Sequence, residues 1–360
     1  LNTAETDLKG FLRDVKSMPD ESVVYGLKAR LWLEMASRFD KNPDDLATLL
    51  SHEDDADGYA KIGISTANDC YAKAAEYAQK AMALDGYTPL TNNEWHNEKT
   101  GFNKANQAWM WAASMGTKEM LTNYWYSWLC FMASEAPGIT WGGYGTYRGI
   151  DKALFDKMPD ADWRKTSWVA PGDAGKAAIP SKYKTILTDE EWGSLPAYTN
   201  LKFRLNEGEQ TDYNVAMLCD IPLMRVEEMH FILAEAKAHT QGVEAGKKVL
   251  DDFMNNYRYS DASYHCDATD MDAFIKELMV QKRIEFWGEG LVYFDNKRLG
   301  LQIQRYYADS NYPASYQLNS KKGYVAPWLN YYIYDYERNN NPAVVLNPDP
   351  SSVVSAQTNY

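Results

Sequence analysis

The chain has 360 residues, 45% of them hydrophobic and 24% charged, enough for one large domain or two ordinary ones with a full core. A formal net charge of −13 argues against nucleic acid or an anionic membrane surface as partner. The unusual number is the aromatic content of 14%, with 12 Trp and 26 Tyr, flat amphipathic rings suited to cores, interfaces and sugar faces.

The start, LNTAETDLKG, is neither a signal peptide nor a lipid-acceptor motif, and no run of 18 apolar residues follows it. Met18-Pro19-Asp20 reads as a turn before a helix over Glu21–Phe39, and a second helix is expected over Ala67–Leu84, closed by Asp85-Gly86. Ala74, Ala78 and Ala81 let this pair approach closely, so 21–84 is expected to form a hairpin like one unit of a tetratricopeptide array. Between the two, Glu53, Asp55, Asp57 and Gly58 fit the first places of a calcium loop, but Ile64 stands where the closing Glu belongs. An acidic solvated loop is the better reading.

From Trp109 to Phe131 the chain is apolar nearly all round, as core would be. Residues 137–215 have the least helical logic. They are rich in Gly, Pro, Trp and Tyr, and short strands are plausible at Lys182–Leu187 and Asn200–Leu205. Pro222 is expected to open the next helix, paired with one over Val243–Tyr257. A third unit follows Asp270, whose carboxylate suits a helix cap. It should break at Gly288–Gly290 and resume to Gly300, ahead of a loop-rich tail over 301–360. Arg283, Glu285, Glu289, Asp295 and Arg298 lie among bulky apolar residues there and read as a paired structural network. Cys70, Cys130, Cys219 and Cys266 are too scattered for a metal site and read mainly as buried apolar residues, a disulfide remaining open. His230 reads as a core histidine.

The segment MRVEEMHFILAEAKAHTQGVEAGKKVLDDF, followed by LMVQKRIEFWGEGLVYFDNKRLG, resembles the C-terminal signature of the SusD/RagB family. Arg225, Glu227, Ala234, Glu235 and Ala236 match its first part, and Arg283, Glu285, Glu289, Gly290, Asp295 and Arg298 its second. The hairpin KARLWLEM with CYAKAAEYAQKAMALDGYTPL is similar to the family's upstream repeat, and Asp162 with Arg164 fits its D-x-R. Gln281-Lys282 and Val292-Tyr293 depart from the usual Glu-Arg and Arg-Trp.

The resemblance implies a mostly α fold, a single SusD-like domain over 1–360. Tetratricopeptide-like hairpins at 21–84 and 222–300 would carry an irregular region, with the usual N-terminal portion of the family missing. It implies an outer-membrane, lipid-anchored protein of Bacteroidota, its anchor in a segment outside this chain. Such a protein captures an oligosaccharide or polysaccharide and delivers it to a SusC-like TonB-dependent transporter, without cofactor or catalysis. Peptide cargo also occurs in the family. On composition alone, Trp141, Tyr144, Tyr147, Trp168 and Trp192 are the expected ligand platforms, because glycines, prolines and serines surround them outside any helical period. A helical glycoside hydrolase, with carboxylates such as Asp189, Glu190 or Glu191, and a protein-binding helical scaffold are the alternatives. No nucleophile elbow, phosphate loop or HExxH motif is present.

Overall fold

A short helix, α1 (Asn2–Asp7), precedes the first long one, α2 (Glu21–Lys41). Asp20 starts α2 by accepting hydrogen bonds from the Ser22 and Val23 amides, donors that the first helical turn leaves free. After α3 (Pro43–Ser51) comes α4 (Ala67–Met82), opened by a capping box in which Thr66 and Asp69 satisfy each other's amides. Residues 1–52, 62–97, 102–115, 117, 128–133, 148–192, 195–209, 211–320, 326, 329, 333–346 and 354–356 are described by the computed structural model. The acidic loop with Glu53, Asp55, Asp57 and Gly58 lies outside them.

Strand β1 (Trp109–Ala113) pairs antiparallel with β2 (Ile221–Arg225), Trp109 opposite Arg225 and Ala112 opposite Pro222. Trp109, Met110 and Ala112 are buried, as the apolar run implies, and their backbone is strand. One expectation is corrected: Pro222 sits within a strand of a two-stranded sheet, where an edge tolerates a residue with no amide hydrogen. The helix opens instead at Val226. Nor are there strands at 182–187 or 200–205: Ser181–Tyr183 is a 3-10 turn, and Asn200 makes a single bridge to Trp168.

The hairpin of α5 (Val226–Gln241) and α6 (Val243–Tyr257) turns at Gly242, whose φ of 94° favours glycine. At Gly246 an added Cβ would stand 2.6 Å from the Ala238 Cβ and 2.7 Å from the Ala234 carbonyl, so glycine sets how closely this pair packs. Helix α7 (Met271–Glu285) packs on both, with the Asp270 carboxylate accepting from the Ala273 amide. In α4, Ala74, Ala78 and Ala81 are all 0% exposed, and that helix packs on α2 and on α5. The result is a mostly helical fold of tetratricopeptide-like hairpins. Cys70, Cys219 and Cys266 are buried and unbridged.

Two compact units divide the chain: Leu1–Ile150 with Leu154–Glu285, and Asp151–Ala153 with Phe286–Tyr360. The second contains α8 (Leu291–Leu299), which begins after Gly288 and Gly290, both at positive φ. It also holds β3 (Leu318–Ser320), α9 (Asp335–Asn340) and β4 (Val354–Ala356), with β3 and β4 paired antiparallel. Its residues 151–153 are held by Asp151, which accepts from the Tyr307 hydroxyl, and by the Ala153 amide, which donates to the same oxygen at 3.2 Å.

Candidate functional site

Glu285, the last residue of α7, is the centre of the charge in the first unit. It is 0% exposed, and Arg258 grips it with two bonds, Nε to Oε2 at 2.7 Å and Nη2 to Oε1 at 2.8 Å. Arg164 adds a bond at 3.1 Å and Arg225 one at 3.2 Å. Arg164 in turn holds Asp162 through two nitrogens, at 2.9 and 2.7 Å, and Gln281 at 2.6 Å. Glu227 receives Arg225 at 2.9 Å and the Leu90 amide at 3.0 Å. Because Glu285 ends its helix, its carbonyl is free of intrahelical bonding, and Lys202 and Arg225 donate to it at 2.8 and 3.2 Å.

Aromatic faces line this cluster. The Lys202 ammonium lies 4.4 Å from the Phe102 centroid and 4.8 Å from that of Trp95, and Arg258 lies 5.1 Å from Trp163. Burial pushes the Glu285 carboxyl up, but Arg258, Arg225 and Arg164 outweigh it and hold that group well below the usual carboxylate range. Glu227 goes the other way, raised by burial and by Glu285 beside it despite Arg225 and Arg258. With every member closed to solvent, no substrate reaches these carboxylates. The cluster is a fastener joining the irregular stretch, through Asp162, Arg164 and Lys202, to α5, α6 and α7.

The expected network is thus present in kind and different in membership. Glu285 is buried and paired as expected, yet its arginines are Arg164, Arg225 and Arg258, while Arg283 is half-buried. Asp295 and Arg298, in the second unit, pair with each other at 2.6 Å with side chains 6% and 2% exposed. Arg258 and Lys202 were invisible in the sequence because neither stands in an apolar period.

Two of the five expected platforms are core. Trp168 is 0% exposed. Trp192 is 1% exposed, stacks on Tyr183 with centroids 5.3 Å apart, and donates from Nε1 to the Lys176 carbonyl at 2.7 Å. A ring so enclosed offers no face to a ligand. Trp141, Tyr144 and Tyr147 lie outside the described residues, so the structure brings none of the five together as a site. His230 tilts against Phe253 with centroids 5.0 Å apart, half-buried as a packing residue.

Large rings are exposed elsewhere. In the second unit Tyr334 is 77% exposed, Tyr336 69%, Tyr316 59% and Phe294 55%. Tyr334 stands at the N-cap of α9 and Tyr336 in its first turn, among Asp335, Glu337, Arg338, Asn340 and Asn341. Arg338 pairs with Asp335 at 2.9 Å, and Asn341 donates to Glu337 at 2.8 Å. Solvent-facing rings flanked by planar hydrogen-bonding groups are the chemistry that grips a pyranose, apolar on its faces and hydroxylated at its rim. The signal was present in the tyrosine-rich run that ends YYIYDYERNNN, which has no apolar period to absorb its rings.

The model of the SusD family matches residues 78–360 of this chain. The chain belongs to that family. Solved SusD structures share its fold. A SusD-like carbohydrate-binding protein from Bacteroides vulgatus is 23% identical with a TM-score of 0.61, over 95% of this chain and 63% of that one. A SusD superfamily protein from Bacteroides thetaiotaomicron is 16% identical at a TM-score of 0.62, over 97% of this chain and 65% of that one. Surface glycan-binding protein A from Bacteroides uniformis is 13% identical at 0.51, over 95% of this chain and 63% of that one. The chain therefore spans just under two thirds of these solved structures. No curated protein matches it. Within the family signature, Arg225, Glu227 and Glu285 are members of the buried cluster, and Asp162 with Arg164 completes it.

Proposed function

We propose that this chain is a cell-surface glycan-binding protein that captures an oligosaccharide or polysaccharide and passes it to a SusC-like TonB-dependent transporter in the outer membrane, held there by a lipid anchor in a preceding segment. The observation that carries this reading is the SusD-family match over 78–360, joined to a fold shared with a SusD-like carbohydrate-binding protein. Binding without turnover agrees with where the charge lies. Glu227 and Glu285, both 0% exposed, are locked among arginines and cannot act on a substrate. No described helix is long and apolar enough to cross a membrane.

The proposed ligand contacts are Tyr334 and Tyr336 on α9; Trp141, Tyr144 and Tyr147 of the first unit are a separate candidate set. Electrophoresis in gels containing a panel of polysaccharides tests the function: a retarded band with intact polysaccharide supports a binder, and released sugars support a hydrolase. Tyr334→Ala should weaken the retained interaction by about 1 kcal/mol or more while leaving the melting temperature where it was, as for an exposed anchor. Unchanged retention of that variant moves the contact to the residues around Trp141.

A further inference from the structure

Helix α1 buries none of its own residues, yet it lies over one of the most enclosed cations of the first unit. Lys28, on α2, is 4% exposed, and its ammonium meets the Glu5 carboxylate, the Asn2 side-chain oxygen at 2.7 Å and the Tyr77 hydroxyl at 3.1 Å. Tyr77 also donates to Glu5 at 3.2 Å, and Lys80 approaches the other Glu5 oxygen to 3.9 Å. The rings of Tyr25 and Tyr77 stand beside these charges with centroids 6.1 Å apart, Lys80 lying 4.6 Å from the Tyr77 centroid. Two ammonium groups, a phenol and two rings on the α2–α4 hairpin thus surround the Glu5 carboxylate, which reaches in from outside it, and Lys80 is bonded as well to Glu76 at 2.7 Å. Lys80 and Glu76 also line an open groove of about 650 Å³ between α4 and α5, whose far wall carries Lys237, Thr240 and Gln241. That space accommodates a disaccharide.

We propose that Lys28, Tyr77 and Lys80 form a carboxylate-binding site that Glu5 fills from within the chain, and that an acidic sugar, a uronate of a longer glycan, displaces α1 to occupy it. The ligand class rests on the glycan reading above. A carboxylate is the matching group because Lys28 and the Tyr77 hydroxyl both donate to the Glu5 carboxylate there and Lys80 adds a second positive charge beside it. A sugar suits it better than a peptide side chain because the Tyr25 and Tyr77 rings flank the charges and Lys80 belongs both to the site and to the groove, where Lys237, Thr240 and Gln241 offer further polar groups. Displacement is feasible because polar contacts are what hold α1, with no apolar face to pull away.

The probe is digalacturonate, measured by calorimetry against its dimethyl ester. Glu5→Gln should bind digalacturonate at least tenfold more tightly than the wild type and gain nothing for the ester. Adding Lys80→Gln should remove the gain. On the wild type, saturating digalacturonate should speed tryptic cleavage at Lys9 and Arg13 as α1 lifts, a reading independent of how stable the variant is. Equal affinity of wild type and Glu5→Gln with unaltered cleavage overturns the site. A triglutamate peptide that binds Glu5→Gln as tightly as digalacturonate overturns the sugar assignment. Neutral polysaccharides retained by the wild type in the gel assay would leave the glycan function standing through either failure.

Discussion

Helices α4 and α5 and the irregular stretch 148–209 bury their side chains to similar depth and satisfy their backbones differently. The helices do it internally, and small residues such as Ala74, Ala78, Ala234 and Ala236 reach 0% exposure where helix packs on helix. The irregular stretch borrows partners from distant positions. Ile150 donates to the Tyr198 carbonyl at 3.1 Å, Tyr198 to Val169 at 2.7 Å, Val169 to Thr199 at 3.0 Å and Leu201 to Ser167 at 2.8 Å. Those bonds close Val169, Tyr183, Ile186, Trp192, Leu195 and Leu201 into a core of their own. Lack of helical period therefore does not mean exposure. A loop becomes core wherever its amides find partners, and here the charge cluster at Glu285 ties that loop core to the helices.

The largest expected effect comes from cutting that tie. Arg258→Met removes the two-bond grip on Glu285, a bond to Glu227 and one to the Leu90 carbonyl at 2.9 Å, leaving Glu285 short of a counter-charge. Urea denaturation should register a loss of about 3–5 kcal/mol, the range for breaking a buried ion pair from one side. A midpoint like that of the wild type would mean the two regions hold together without the cluster.

Trp192→Ala tests the loop core directly. A loss of about 3 kcal/mol or more is expected, from the emptied volume beside Tyr183 and the missing bond to Lys176. Retention in polysaccharide gels by the folded fraction should be unaltered. A variant that melts normally and loses its ligand would restore Trp192 as a platform.

What the sequence made legible follows the same division. Helix ends were readable where the chemistry is local: Asp20 before α2, Asp270 before α7, the glycines between α7 and α8. The importance of Glu285 was readable too, because a carboxylate between Ile284 and Phe286 on an apolar helix needs a partner. Its partners were not. Arg258, Lys202 and Arg164 stand 27, 83 and 121 positions away, and only the fold brings them together. Pro222 misled for a related reason. Proline is common in the first turn of a helix, and nothing local shows that Ile221–Arg225 has Trp109–Ala113 to pair with. Trp168 and Trp192 misled because glycine and proline neighbours signal turns, and a turn can still lie beneath other chain.

Acid should loosen the first unit through buried His96 and half-buried His230. Burial, with Arg204 nearby, pushes His96 down to about 3, and burial with Arg258 pushes His230 down to about 4. Burial and Arg204 hold His96 neutral where it sits, its Nδ1 2.7 Å from the Asn92 side-chain oxygen and its Nε2 3.0 Å from Ser167, whose hydroxyl also receives Trp95 at 2.9 Å. A lowered histidine means the unfolded chain takes the proton first. The stability is therefore complete above the ordinary histidine value of 6.5 and drains as pH falls toward 3. Each pH unit in that window costs about 1.4 kcal/mol per group. Thermal melts of wild type and His96→Gln between pH 7 and 5 should converge as pH drops. Parallel curves would place the acid sensitivity elsewhere.

The smallest effect probes the helical side of the comparison. Ala78 is 0% exposed on α4, the helix that packs against both α2 and α5, so its methyl marks how closely those backbones approach. Leucine there must drive three further carbons into packed neighbours on two sides. Helices satisfied internally can shift as rigid rods, which spreads the strain and limits the cost. Ala78→Leu should therefore lose about 1–3 kcal/mol in urea, less than Trp192→Ala, because overpacking a movable rod costs less than emptying a loop core whose bonds pin it in place. If Ala78→Leu proves the more damaging of the two, the hairpins are the rigid part of this unit and the irregular stretch is the part that yields.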